Sequence, residues 1–349
     1  MELIKTSAVL LVSLLTFFFG QTLKSQILNL DSVTADYFKH YDVIFLGEQH
    51  GIKTTDSIET KLISILKTQN TKILLEVGYD RNYALNNFFI KKDSINYKFF
   101  NRKYNRNNSK LFRLLSNSNI IPKAIDVATR EDLDKGAIFD AYSKEKRMPT
   151  TVKNDIDEFY EIGRMDFPSQ MKNTNLYENF YTKFRNNLKV HKFFLEKDST
   201  DIEEYFEALK YRILADYDSS AKIFVFSNYR ESFMFSQIER EIIKNPKARI
   251  ISINGSAHVG LNPQKIDKET RNKSWIPLAY RTKINLNNKN VCSICLVHRA
   301  KSLFKKDYPK EMEYILNHTE AEKYYLIKLN YKGSPFEDLI GVYDYIVVY

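Results

Sequence analysis

Cysteine is almost absent from this 349-residue chain: Cys292 and Cys295 are the only two. That count excludes a scaffold held by several disulfides, and no second Cys pair or adjacent His cluster completes a zinc site. Their surroundings, "VCSICLV", are apolar and strand-like, and in a strand positions three apart face opposite ways. The pair is therefore expected to act as two buried small hydrophobes. Glycine is also scarce, at ten residues. Neither G-x-x-x-x-G-K-[ST] nor G-x-G-x-x-G occurs, which argues against nucleotide chemistry. A G-x-S-x-G elbow is missing and neither Cys stands beside a polar motif, which disfavours a Ser or Cys acyl-enzyme. Tandem repeats, low-complexity tracts and Pro/Gly/Ser-rich linkers are lacking, so a single α/β domain over 26–349 is expected.

No apolar run is long enough to span a bilayer comfortably; the most extended is Ala8 to Phe19. With Lys5 before it and a short polar stretch after it, residues 1–25 have the shape of a secretory signal peptide. No cysteine precedes the expected mature start, which disfavours a lipoprotein anchor; an uncleaved membrane anchor is the alternative. The mature chain is expected to be exported, to a periplasmic or extracellular location.

What is present is a folded protein's composition, 43% hydrophobic and 14% aromatic, which excludes a disordered chain. Lys and Arg number 53 against 43 Asp and Glu, a net charge of +10. The excess is scattered, as in "KKDSINYKFFNRKYNRNNSK" (91–110) and "RAKSLFKKDYPKEMEY" (299–314), and no nucleic-acid-reading module accompanies it. A solvated basic surface is expected, with no nucleic-acid partner. Weak attraction to anionic lipid at a membrane surface, to glycan or to substrate is the lesser reading.

Short apolar runs alternate with amphipathic stretches, the pattern of a mostly parallel central sheet flanked by helices. "DVIFLG" (42–47), "KILLEVG" (72–78), "IIPKAIDV" (120–127) and "ARIISINGSAH" (248–258) read as successive strands. "VCSICLV", "KYYLIKLNY" and "YDYIVVY" follow. In "DSIETKLISILK", Ile58, Leu62, Ile65 and Leu66 have helical spacing, with Asp56 followed by Glu59 as the expected N-terminal cap. "NYRESFMFSQIEREIIKN" is a further amphipathic helix. About 140–220 is strongly helical and is expected to form a helical insertion or subdomain.

The ends of the early strands are polar. The first delivers Glu48 and His50, the second Glu76, the third Asp126, and the fourth runs out through "NGSAH" to His258. In open α/β sheets ligands bind beyond the carboxyl ends of the strands, so these side chains can meet in one crevice. Five of the ten glycines (Gly47, Gly51, Gly78, Gly255 and Gly260) flank them. Each residue also has a structural reading: Glu48 or Asp126 as a cap, Glu76 paired with an arginine, either histidine simply buried and satisfied. On the helix after Ser227, Arg230 shares a face with Met234 and can supply a permanent positive charge. Glu231 is expected to point away into solvent. Two imidazoles, two carboxylates and a guanidinium make a general acid–base set able to activate water against an ester or amide; the same His and Glu side chains could instead hold a divalent metal.

"FLGEQHG", "LLEVGYDRNYALNNFF", "IPKAIDV", "NYRESFM", "INGSAHVG" and "YDYIVVY", in that order, resemble a superfamily that groups erythromycin-esterase-like hydrolases with ChaN-like haem-uptake lipoproteins and, more distantly, TraB/Tiki proteases. The likeness runs from Asp42 to Tyr349, outside the helical middle. It implies that Glu48, His50, Glu76, Arg230 and His258 line the site; Asp126, from its place at a strand end, is expected beside them as a binding residue. The segment around Glu76 is most like the esterase group. Two departures argue against macrolide hydrolysis as the specific activity. "GEQH" is one residue shorter than the esterase G-E-x-x-H, and Gly255 stands where that group tends to carry a histidine. The resemblance implies first an exported hydrolase acting on a small-molecule substrate and needing no cofactor. It implies second a ChaN-like protein that holds haem or iron without turnover. Third is a Tiki-like metal-dependent peptidase, whose metal would be held by His50, Glu76 and His258. Substrate identity and oligomeric state carry no sequence signal.

Overall fold

The computed structural model describes residues 27–52, 54–92, 109–129, 149–164, 182, 186, 196–216, 218, 226–265, 274–300, 304–331 and 334–349. The signal peptide expected over 1–25 lies outside them, as does much of the helical stretch expected over 140–220. Among the described residues, no helix is long and apolar enough to cross a membrane.

Eight strands form one sheet: β1 (Ile27–Asn29), β2 (Val43–Glu48), β3 (Thr71–Gly78), β4 (Lys123–Asp126), β5 (Arg249–Gly255), β6 (Val291–Val297), β7 (Tyr325–Lys328) and β8 (Tyr345–Val348). Their order across the sheet is β1-β7-β8-β6-β2-β5-β3-β4. From β8 to β4 every pairing is parallel. At the other edge β7 runs antiparallel to β8, and β1 antiparallel to β7. The expected mostly parallel sheet is present, with an antiparallel edge that the sequence reading did not anticipate. β1 has only three residues, too few to show a periodicity.

The helices are α1 (Thr55–Leu66), α2 (Asn82–Lys91), α3 (Ser109–Asn117), α4 (Thr150–Arg164), α5 (Glu196–Asp216), α6 (Asn228–Lys244), α7 (Leu278–Asn285), α8 (Phe304–Asp307) and α9 (Pro309–His318). Strand alternation divides the core into two layers. Ile44, Leu46, Ile73, Leu75 and Ile251 pack with Ile58, Leu62 and Leu66 of α1 and with Leu111 and Leu115 of α3. On the opposite face Val43, Phe45, Leu74 and Ile250 pack with Met234 and Ile238 of α6 and with Leu278 of α7. Cys292 belongs to the first layer and Cys295 to the second; both are free and buried, and burial pushes the Cys295 thiol up to about 12. One expected cap is corrected. Asp56 does not cap α1; its carboxylate accepts the Lys110 and Leu111 amides at 3.1 and 3.0 Å, at the start of α3. Those amides have no helical partner at a helix N-terminus, and a carboxylate also suits the helix dipole there.

The described parts of the middle region, α4 and α5, are helical. α5 is tied to the sheet and to α6 through Glu204, which accepts hydrogen bonds from Tyr79 Oη (2.6 Å), Lys123 Nζ (2.9 Å) and Lys244 Nζ (3.2 Å). Burial alone would raise the Glu204 pKa, but Lys123 and Tyr79 outweigh it and hold the carboxyl near 2, against 4.5 when free. A depressed folded-state value gives stability that is present above 4.5 and lost as pH falls toward 2. Glu204→Gln is expected to cost about 3 kcal/mol at neutral pH, with the deficit shrinking below pH ~4. Urea unfolding at pH 7 and pH 3 checks this; an equal loss at both would show that charge is not the source.

Candidate active site

The carboxyl ends of β2, β3, β4 and β5 lie side by side, and five of the six expected site residues sit at or just beyond them. The alternation that sends Leu74 toward α6 sends Glu76 the same way. β3 and β5 pair only as far as Leu75 and Ile253. Beyond that point Gly255 stays in register with Glu48 of β2, but on the β3 side its N–H donates to Glu76 Oε2 at 2.5 Å.

α6 brings the sixth residue. Its first turn is capped by Ser227, whose hydroxyl accepts the Tyr229 amide at 3.2 Å. Arg230 Nε and Nη2 donate to the two oxygens of Asp126 at 2.8 and 2.7 Å. Nη2 also donates to Glu76 Oε1 at 2.6 Å, and Nη1 donates to His258 Nε2 at 2.9 Å. The guanidinium is thus the hub that joins β3, β4 and the β5 exit. Arg and its fork suit this place because five fixed donors can serve several acceptors at once.

Gly47 explains how His258 reaches the hub. A Cβ there would fall 2.2 Å from Val259 Cγ2, so only glycine lets the turn Ser256–Val259 lie against β2. His258 is buried beneath that turn, with Trp275 edge-on at 5.9 Å. Its Nδ1 meets Glu231 Oε1. Glu231, expected in solvent, is fully buried instead. It stands three and seven residues before the buried Met234 and Ile238, a helical spacing that could have revealed its burial.

His50 is the accessible member. Its side chain is 52% exposed, Nδ1 lies 3.0 Å from Glu48 Oε1, and Nε2 lies 3.8 Å from Glu76 Oε1. Burial works against its charged form, but the hydrogen bond to Glu48 and the nearby Glu76 carboxylate outweigh that and raise its pKa to about 9. Burial likewise opposes charge on His258, where Glu231 and Glu76 raise the pKa and Arg230 works against them. Glu76 is held well below the usual carboxylate range: burial alone would raise it, but His258, Arg230 and His50 prevail.

A cavity of about 250 Å³ opens here, lined by His50, Glu76, Asp126, Arg212 and Arg230 together with Gly51 and Val77 to Gly78. Glu48 stands behind His50, and His258 behind Arg230. Arg212 of α5, paired with Asp216 at 3.0 Å, is a lining residue that the sequence reading passed over. The donor set does not fit a metal. Both His258 nitrogens are engaged, Arg230 Nη2 already occupies Glu76 Oε1, the oxygen 3.4 Å from His258 Nε2, and no group of three His, Cys, Asp or Glu among the described residues is arranged to hold an ion. His50, Glu76 and His258 come together as a polar cluster around Glu76 Oε1.

No family model and no curated protein matches the sequence. Solved structures do match. A mutant of erythromycin esterase EreC in its open conformation superposes with a TM-score of 0.62, at 15% identity, over 90% of this chain and 91% of that one. The chain has the erythromycin-esterase fold. A Bacillus cereus protein follows at 0.59 and 13% identity, covering 95% and 97% of the two chains. A succinoglycan biosynthesis protein matches at 0.54 and 12% identity, covering 94% and 95%.

Within this erythromycin-esterase fold the two departures noted in the sequence meet at one point in space. A Cβ at position 255 would stand 3.0 Å from His50 Nε2 and 3.5 Å from Glu76 Oε2. Glycine at 255 leaves that room to the His50 ring.

Proposed function

We propose that the chain is an exported hydrolase in which His50 activates water against an ester or amide of a small-molecule substrate. The observation that carries this reading is the half-exposed His50 imidazole, set between two carboxylates at a cavity whose wall includes a fixed guanidinium. Residues 1–25 supply the export signal in this reading, and the helical middle, through Arg212, closes one side of the cavity.

In its neutral form His50 donates Nδ1–H to Glu48 and presents the Nε2 lone pair to a water molecule. As that water attacks the carbonyl carbon, its proton passes to Nε2, and Glu48 and Glu76 stabilise the imidazolium that forms. Negative charge gathers on the carbonyl oxygen, and Arg230 holds a positive potential at the cavity wall without having to reorganise. The imidazolium then returns its proton to the leaving alcohol or amine. His258 is a poorer base because both of its nitrogens are engaged. No metal or haem is required.

The pH dependence follows from the raised His50 pKa. The base form is a small fraction at neutral pH, so kcat/KM should rise about tenfold per unit through the neutral range and level off near 9. The mature chain is to be assayed on a panel of aryl esters, lactones and amides across pH 6 to 10. Absence of turnover on the whole panel, or a rate that falls as pH rises through neutrality, would overturn the reading.

A further inference from the structure

Glu231 does not line the cavity, and neither does His258. Yet consecutive residues of α6 hold both nitrogens of that one imidazole: Arg230 Nη1 lies 2.9 Å from Nε2, and Glu231 Oε1 meets Nδ1. A guanidinium can only donate, so in the neutral ring Nε2 is the acceptor. That ring carries its proton on Nδ1 and donates it in a hydrogen bond to Glu231 Oε1. We infer that Glu231 is a positioning residue that fixes the His258 tautomer and, through it, the direction of the Arg230 fork.

The coupling is geometric. With its proton on Nε2, the ring would set an N–H against a guanidinium N–H at a donor–acceptor distance, and the fork would turn away. Arg230 Nη2 would then leave Glu76 Oε1, which it now holds at 2.6 Å. Glu76 is the carboxylate 3.8 Å from His50 Nε2, so the disturbance reaches the accessible imidazole without Glu231 touching the cavity. Outer partners that fix a histidine's tautomer commonly act at this remove. His258 is faced by Arg230 and Glu231 from α6, Glu76 from β3 and the Trp275 ring, while Arg281 of α7 interacts electrostatically with Glu231. Among these Glu231 alone meets Nδ1. The catalytic consequence rests on the proposed function; the tautomer does not.

The test uses the full chain with ring-¹⁵N-labelled histidine, titrated by NMR in the parent, Glu231→Gln and Glu231→Leu. The parent's neutral His258 is expected to carry its proton on Nδ1. Glu231→Gln keeps that tautomer, since the amide oxygen still accepts, but His258 should titrate at least about one unit lower once the neighbouring charge is gone. Glu231→Leu should lose the Nδ1–H preference; if that variant does not fold, Glu231→Gln decides alone. A parent ring protonated on Nε2, or an unchanged His258 titration in Glu231→Gln, overturns the inference. If the parent hydrolyses an ester, Glu231→Gln should lower kcat roughly ten- to a hundredfold with KM within about twofold; unchanged kcat also counts against the role. If the parent hydrolyses nothing, the hydrolase reading fails while the NMR result still decides the place of Glu231.

Discussion

Replacing His50 with asparagine is expected to lower kcat/KM by about a thousandfold or more for any ester that the parent hydrolyses. The asparagine amide can still donate toward Glu48, so the local hydrogen bond survives, but no atom remains that can take a proton from water. The side chain is 52% exposed, so its loss opens no cavity in the core. Stability should therefore move by less than ~1 kcal/mol, and the defect should appear in the chemical step. Steady-state kinetics together with a thermal melt separate the two effects. Retained activity within a few-fold would remove His50 from the mechanism.

Arg230→Met carries the largest expected cost in stability. Methionine fits the buried space and can pack beside Met234, but it leaves Glu76 and Asp126 without the cation that holds them. Removing one partner of a buried ion pair costs about 3–5 kcal/mol, because the remaining charge stays desolvated. The sign with pH distinguishes this from a packing defect. In the parent, Glu76 has a depressed pKa and contributes stability above its unfolded value of 4.5. In the variant, burial is less opposed, so the Glu76 carboxyl takes up a proton more readily and the deficit narrows as pH falls from 7 toward 5. Urea unfolding at those two pH values checks the prediction; a deficit that stays constant would show that the carboxylates are not its source.

The fold was legible wherever local pattern and tertiary role agree. "VIFL", "KILLEV" and "RIISI" are continuous apolar runs because parallel strands are covered on both faces, and each became a central strand. The polar ends Glu48, Glu76, Asp126 and His258 were legible for the same reason, since a carboxylate or imidazole closing such a run needs a partner. The antiparallel edge was not legible, because direction is set by which strand lies alongside. Asp56 illustrates the same limit: its position suggests a cap for α1, but a second helix start in space claims the carboxylate.

The burial of Glu231 is encoded in its helical face, which it shares with the buried Met234 and Ile238, and not in its charge. The amino-acid sequence by itself determined that acids, imidazoles and a guanidinium stand at the ends of buried strands and on one helix. Only the tertiary structure decided their division of labour. It exposed His50 and enclosed His258, because exposure and hydrogen-bond partners belong to packing between segments about 200 residues apart in the chain, and no local pattern encodes them.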